Sequence, residues 1–341
     1  MMAKKTMRVH VQTGYGPTGE NIALIERPEP TPGAGDVVVA VHAASLNPID
    51  YKIVHGLMRR IRSLKFPSPM GFDGSGVITA VGKRVKKYKP GDAVFFRAPI
   101  ERRGSFAESI AIDERLVAAK PDKLSHGDAA SLPLVGLTTV QGVTDRAKAQ
   151  AGQSILIHAG SGGVGTFAVQ YAKAIGLTVT STTSSKNVDL VRSLGADHVV
   201  AYDREDYRTR PDRYDIVFDM LGGDTLMDAF KVVKKGGTVI SIAGPPTADV
   251  ARQVKAGFIV RIVMAFMRRK VMAAARAAGA QYFGYLTESS GAQLEQIAAL
   301  TEVGKLRAVI DKTFAFADLA AAYAHLETGR SRGKVNLQVR T

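Results

Sequence analysis

The stretch "SILIHAGSGGVGTFAVQYAK", residues 154–173, decides how the rest of the chain is read. An apolar strand ends near His158, a glycine cluster follows, and a helical pattern starts near Gly163. Gly160, Gly162 and Gly165 give the spacing G-x-G-x-x-G, with Ser161, Gly163 and Val164 completing the loop. The first glycine permits a tight turn. The second lets the main chain approach a pyrophosphate, and the third lets helix and strand pack closely. Free N–H groups at the helix start then point at the phosphates, aided by the helix dipole. The spacing alone is weak evidence; its position between strand and helix predicts a dinucleotide cradle.

Working outward, the same texture continues. From about residue 126, helical patterns ("HGDAASLPLVGLTTVQGVTDRA", "SKNVDLVRSLGAD") alternate with apolar strands ("TVTSTT", "HVVAY", "YDIVFDM", "GGTVISIA"). That alternation predicts a parallel sheet with crossover helices. A helical stretch is expected at about 249–279, then a strand, "QYFGYLT". Before residue 126 the chain is short β-like runs with Gly/Pro punctuation: "DVVVAVHAASL", "GSGVITAVG", "GDAVFF", "FAESIAI". These predict an all-β, barrel-like unit. Two helical patterns and a closing strand, "KVNLQV", end the chain. The fold class is therefore α/β: a β-barrel-like domain plus a doubly wound Rossmann domain. The expected boundaries are 1–127, 128–287 and a return to the first domain at 288–341.

Composition narrows the chemistry. The chain has 341 residues, enough for two domains, and no cysteine, so it has neither disulfides nor thiolate metal sites. The longest apolar run, "FIVRIVMAFM" at 258–267, is too short to span a bilayer, which takes about 20 residues. No signal peptide is visible, so a cytoplasmic protein without a membrane partner is expected. A net charge of +15 favours anionic partners. Basic clusters occur at Arg59, Arg60, Arg62 and Lys65, and in "VGKRVKKYKPGD". No interleaved aromatics mark a nucleic-acid module, and a solvated basic surface is the simpler reading.

The second strand of the dinucleotide fold indicates which cofactor is bound. NAD-binding versions carry Asp or Glu about 20 residues after the glycines, where it holds the ribose diol. Here that strand reads "TVTSTTSSKN", and no carboxylate appears before Asp189. Thr183, Ser184 and Lys186 suit a 2′-phosphate instead, so NADP(H) is the expected cofactor. Alternatively, Lys186 simply sits on the solvated start of the next helix.

Further stretches give the whole chain a family likeness: "ASLNPIDYK" (44–52), "GFDGSGVITAVG" (71–82), "KPGDAVF" (89–95), "GSFAE" (104–108), "LPLVGLTT" (132–139) and the tail from 304 to 335. With the glycine loop, they resemble the zinc-free branch of the medium-chain dehydrogenase/reductase superfamily: quinone oxidoreductase, zeta-crystallin and the alkenal/enone reductases. The resemblance implies a GroES-like domain interrupted by a Rossmann domain, an active site in the cleft between them, and a homodimer. The zinc branch's ligand positions look like Asn47, Phe72 and Val135 here, none a good zinc donor, so no metal is expected. The resemblance adds Thr138 near the nicotinamide and Tyr202 against the adenosine phosphate. "DMLGG" with Leu221 and "SIAGPP" with Ala243 end successive strands at the carboxyl edge, where open α/β sheets bind ligands; Phe283 reads as a contact near the nicotinamide end or as core packing, and Lys334 joins the expected cofactor contacts.

Without a metal, the reaction left for NADPH is hydride delivery to a carbon that is already electrophilic, as in an enone, alkenal or quinone. The developing oxyanion needs a donor, and losing one such donor costs about 3–4 kcal/mol in the barrier. The candidates lie in "LNPIDYK": Lys52 as proton or hydrogen-bond donor, Tyr51 as an alternative donor, and Asn47 through its amide. Each also has a plain structural reading, as an exposed lysine, a packed aromatic and a turn residue; Asp50 reads as structural. The alternatives left open are reduction of a quinone carbonyl, one-electron quinone reduction, and an NADPH-sensing or RNA-binding protein without turnover. The basic, apolar segment 250–279 either caps the substrate cleft or supplies helix core and subunit contact.

Overall fold

The computed structural model describes residues 5–57, 59, 63–254 and 256–340. Arg60 and Arg62 of the first basic cluster lie outside them. The chain divides into two compact units, one built from 1–137 with 288–341 and the other from 138–287.

The first unit opens with β1 (Thr6–Gln12) and β2 (Ile22–Pro28), which pair antiparallel. The long strand β3 (Asp36–Leu46) carries "DVVVAVHAASL" and is buried along nearly its whole length. A single turn-rich helix, α1 (Pro48–Val54), follows, then β4 (Ser68–Pro69), β5 (Asp73–Val81), β6 (Ala93–Arg97), β7 (Ser109–Asp113) and β8 (Val117–Ala119). Proline at the first position of α1 costs no hydrogen bond there and presets the helical φ. The segment 126–147, one pattern in sequence, forms three pieces. These are α2 (His126–Ala130), α3 (Pro133–Thr139) and a π-helical turn at Val140–Arg146. Pro133 starts α3 because it cannot continue α2.

The second unit is built on β9 (Ser154–Ile157), α4 (Gly163–Ala174), β10 (Thr178–Thr183), α5 (Val188–Ser193) and β11 (His198–Ala201). It continues with β12 (Tyr214–Asp219), α6 (Gly223–Val232), β13 (Val233–Ser241), α7 (Ala248–Gln253), α8 (Phe258–Ala278) and β14 (Gln281–Gly284). Its six-stranded sheet runs β11-β10-β9-β12-β13-β14, every pair parallel. That order reverses direction between β9 and β12, the switch point at which doubly wound sheets bind ligands. The helical stretch expected at 249–279 is broken in two, with Gly257 in extended geometry capping α8.

The chain then returns to the first unit through α9 (Gly291–Glu302), β15 (Ile310–Ala315), α10 (Leu319–Glu327) and β16 (Lys334–Gln338). β16 pairs antiparallel with β3, so the tail completes a sheet ordered β15-β16-β3-β5-β6-β8. Its core joins Val37, Val39 and Val41 to Phe96, Phe106 and Tyr323. The second unit has its own core, around Leu156, Val217, Val239 and Val271.

Candidate active site

The glycine loop leaves β9 with Ala159 at φ 52°, an uncommon conformation for a side-chain-bearing residue. The N–H of Gly160 donates to the Thr182 carbonyl, which ties the loop to β10. A Cβ on Gly165 would lie 2.1 Å from the Ala159 carbonyl oxygen, so α4 packs on β9 only because that atom is missing. At Gly162, the N-cap, the nearest atom to a Cβ would be the same oxygen at 3.3 Å, and φ is −78°. A Cβ there needs that oxygen to give by a few tenths of an ångström, so the bare backbone is demanded by packing far less than at Gly165. It leaves the first N–H groups of α4, from Gly163 onward, approachable by an anion.

The end of β10 gathers several expected cofactor residues. Buried Thr183 donates from Oγ1 to Ser161 Oγ at 2.9 Å, and Asn187 Nδ2 donates to Ser161 and Ser184. The N–H of Tyr202 donates to the Thr183 carbonyl, bringing that exposed ring beside the same strand end. Lys186 is exposed. Sequence reading missed Asp203, which comes from beyond β11. Its carboxylate accepts from both N and Oγ of Ser185, and those bonds hold it below the usual carboxylate range. A recess of about 350 Å³, lined in part by Tyr202, Arg204, Tyr207 and Thr225, opens beside it.

Across the switch point, Asp219 organises the next two strand ends. It is fully buried and accepts from His158 Nδ1, Ser241 Oγ and the N–H groups of Leu221 and Gly222. Burial pushes its carboxyl up, but the bonds from His158 and Ser241 outweigh that and hold it below its ordinary value. Ser241 Oγ in turn accepts from the N–H groups of Ala243 and Gly244. Leu221 and Ala243 are thus presented outward, both exposed, from loops that cannot drift. Phe283, half-buried, sits on β14 opposite Ile240. Thr138 is buried, with its hydroxyl 2.7 Å from that of Thr287 and its carbonyl accepting from Tyr285. The only sequence signals for Asp219 and His158 were their places at strand ends.

In the first unit, the candidates on α1 diverge. Asn47 is buried with both ends of its amide engaged: Nδ2 donates to Asp73 and Oδ1 accepts from Lys334 Nζ. Lys334 is itself buried, and Nζ also donates to the Leu46 carbonyl and lies 3.6 Å from Asp73. Burial lowers the Lys334 pKa and raises that of Asp73, and each charge opposes the shift of the other. Asp50 accepts from the Asn47 N–H, and burial pushes its carboxyl up to about 7. Tyr51 is half-buried against the core and 5.7 Å from the His55 ring, whereas Lys52, one residue on, is exposed.

The same residues test the fit of a zinc ion. Phe72 is a buried ring under the Arg97 guanidinium, Val135 is buried and apolar, and the Asn47 carbonyl oxygen already holds an ammonium. None offers zinc a free lone pair, so the site does not fit the metal. Among the described residues no group of three or more His, Cys, Asp or Glu is placed to hold a metal ion.

Residues 33–122 match the family described as alcohol dehydrogenase GroES-like domain, and residues 194–337 the one described as zinc-binding dehydrogenase. The chain is 34% identical to the 2-methylene-furan-3-one reductase of Solanum lycopersicum, over 88% of this chain and 70% of that protein. It is 33% identical to the chloroplastic NADPH-dependent alkenal/one oxidoreductase of Arabidopsis thaliana, over 97% of this chain and 79% of that one. The chain belongs to the medium-chain dehydrogenase/reductase superfamily. Its branch is that of the quinone oxidoreductases and alkenal/enone reductases. The solved quinone oxidoreductase of Coxiella burnetii superposes with a TM-score of 0.85 at 32% identity, over 98% of this chain and all of that one. As a medium-chain reductase the chain is a nicotinamide-dependent oxidoreductase.

Proposed function

We propose that this reductase uses NADPH to reduce the activated C=C bond of an enone or alkenal, or a quinone. One observation carries the cofactor half of the reading. Beside the end of β10 the Ser161 and Ser184 hydroxyls accept within the loop and keep their own protons to donate, Lys186 is exposed, and the Asp203 carboxylate is committed to Ser185. A 2′-phosphate suits that set, and a ribose diol has no carboxylate on β10 to donate to.

The cofactor supplies a two-electron hydride equivalent. The β-carbon of the substrate gains it, the carbonyl oxygen takes up the negative charge as an enolate, and a proton then reaches the α-carbon. Lys52 is the donor we assign to that oxygen or that proton, because its ammonium is exposed whereas the Asn47 amide is already engaged. Tyr51 is the second candidate; burial raises its phenol pKa, which keeps the proton on it at neutral pH. The relatives named above, which reduce a furanone and alkenals or alkenones by name, support this substrate class.

The test is NADPH consumption with a panel of 2-alkenals, alkenones and 1,4-quinones, followed by product analysis. Saturated carbonyl products are expected. Hydroquinone from quinones alone, with no turnover of alkenones, would restrict the activity to quinone reduction and overturn the C=C assignment. Lys186→Ala should weaken NADPH about tenfold, or 1.4 kcal/mol, and leave NADH unchanged. Equal loss for both would reject the 2′-phosphate contact.

A further inference from the structure

Helix α8 buries one face and leaves the other bare. Met264, Val271 and Ala275 are its buried residues, packed against a small cluster of α7 and the core of the second unit. On the opposite side Phe258, Ile259 and Phe266 are 79%, 75% and 74% exposed, and Ile262, Val263 and Met267 are each more than half exposed. Their spacing, i, i+1, i+4, i+5, i+8 and i+9, makes them one continuous stripe about 15 Å long. Single exposed apolar side chains need no explanation, but a contiguous stripe rimmed by charge marks an interaction surface.

The charge is one-sided. Arg261, Arg268, Arg269, Lys270 and Arg276 lie on α8, and the helix has no Asp or Glu. Arg269 and Lys270 fall seven residues after Ile262 and Val263, so they extend the stripe's own face into the next turns. The neighbouring α7 adds one acid, Asp249, and one base, Arg252.

We propose that this face docks on the surface of a bilayer containing anionic phospholipid, with the apolar stripe among the acyl chains and the cations at the phosphates. An amphipathic helix with bulky apolar side chains on one side and Arg or Lys beside them lies in the membrane plane. Among the described residues no helix is long and apolar enough to cross a membrane, so the segment lies on the surface rather than spanning it. A second copy of the chain is the weaker occupant. A stable dimer takes about 800 Å² and roughly 20–30 residues from each partner, and this stripe supplies six. The docking goes beyond the reductase reading and does not depend on it.

The experiment is co-sedimentation of the intact protein with vesicles of phosphatidylcholine mixed with phosphatidylglycerol, against vesicles of phosphatidylcholine alone. Binding is expected only to the mixed vesicles and should fall as salt rises. Arg269→Ala with Lys270→Ala should lower the partition coefficient about thirtyfold. Phe258→Ser with Phe266→Ser should abolish binding at moderate salt, with an unchanged melting temperature showing that the fold survives. Absence of the protein from the mixed-vesicle pellet overturns the proposal, as does binding that neither pair of substitutions weakens. So does a Phe258→Ser/Phe266→Ser protein that binds vesicles normally but loses a dimer seen by light scattering, which would make the stripe an interface between copies.

Discussion

Lys334 holds an ammonium group where almost no water reaches it. Its charge is tolerated because Asp73 lies 3.6 Å away and two carbonyl oxygens, of Leu46 and Asn47, accept its protons. Removing one partner of such a buried pair leaves the other uncompensated, so Lys334→Met should destabilise the protein by about 3–5 kcal/mol. Urea unfolding measures this, and a loss under about 1 kcal/mol would mean that Asp73 is neutral in the native state. None of this was legible in "GKVNLQV", where a lysine opening a terminal strand reads as a cofactor contact. What draws it inside is the pairing of β16 with β3 and the Asp73 carboxylate at the start of β5, both remote in sequence. His126 gives a second residue-scale prediction. Burial, with the charges of His42 and Lys120 adding to it, pulls its pKa from 6.5 down to about 4. Its ring stacks on His42, and Nδ1 lies 2.8 Å from Ser75 Oγ. The unfolded chain therefore binds the proton first. The stability His126 confers is complete above pH 6.5 and is lost as pH falls through about 4. Relative to His126→Gln, the wild type should lose stability across that window, as melting temperatures of both proteins will show. Parallel pH curves would refute the shift.

At the scale of elements, the strand–glycine–helix unit was readable because every residue that defines it lies in one short stretch. The structure separates two of its glycines that the motif treats alike. Gly165→Ala puts a Cβ 2.1 Å from a backbone oxygen that cannot yield without moving β9. Gly162→Ala brings its Cβ 3.3 Å from the same oxygen at an ordinary φ, a contact relieved by a shift of a few tenths of an ångström. The first substitution is expected to cost stability on the scale of core overpacking, about 1–3 kcal/mol or more. The second should lower the melting temperature far less than the first while NADPH affinity falls, since its methyl occupies the approach to α4. Calorimetry and cofactor titration on both variants separate the effects. A Gly162→Ala protein with native affinity would remove the pyrophosphate from that position. Other elements were less legible. The pattern at 249–279 reads as one helix because periodicity carries through Gly257, whereas α7 ends at Gln253 and α8 starts after Gly257 in extended geometry. Asp219 was invisible as an organiser because its partners, His158 and Ser241, come from the ends of two other strands.

On the scale of the whole molecule, the change of texture in the sequence reflects two cores that share no residue, one around Val37 and Phe96 and the other around Leu156 and Val239. The all-β texture and the alternating texture follow from different packing problems: strands that bury alternate faces, and parallel strands covered on both sides by helices. Which positions the sheet order brings together could not be read locally, because it depends on the crossover connections. The division has a consequence for ligand binding. The glycine loop, the β10 end and the Asp219 network all belong to the unit of residues 138–287. NADPH at a hundred times its Kd should therefore stabilise that unit by about 2.7 kcal/mol. Because the cofactor is a polyanion and the chain carries +15, the gain should shrink as salt rises. Hydrogen exchange with and without NADPH is the direct measurement, with slowing expected at residues 158–165, 183–187 and 219–223. Protection of the same segments to the same degree by equimolar NADH would remove the preference assigned to Lys186. Protection absent from all three segments would place the cofactor elsewhere.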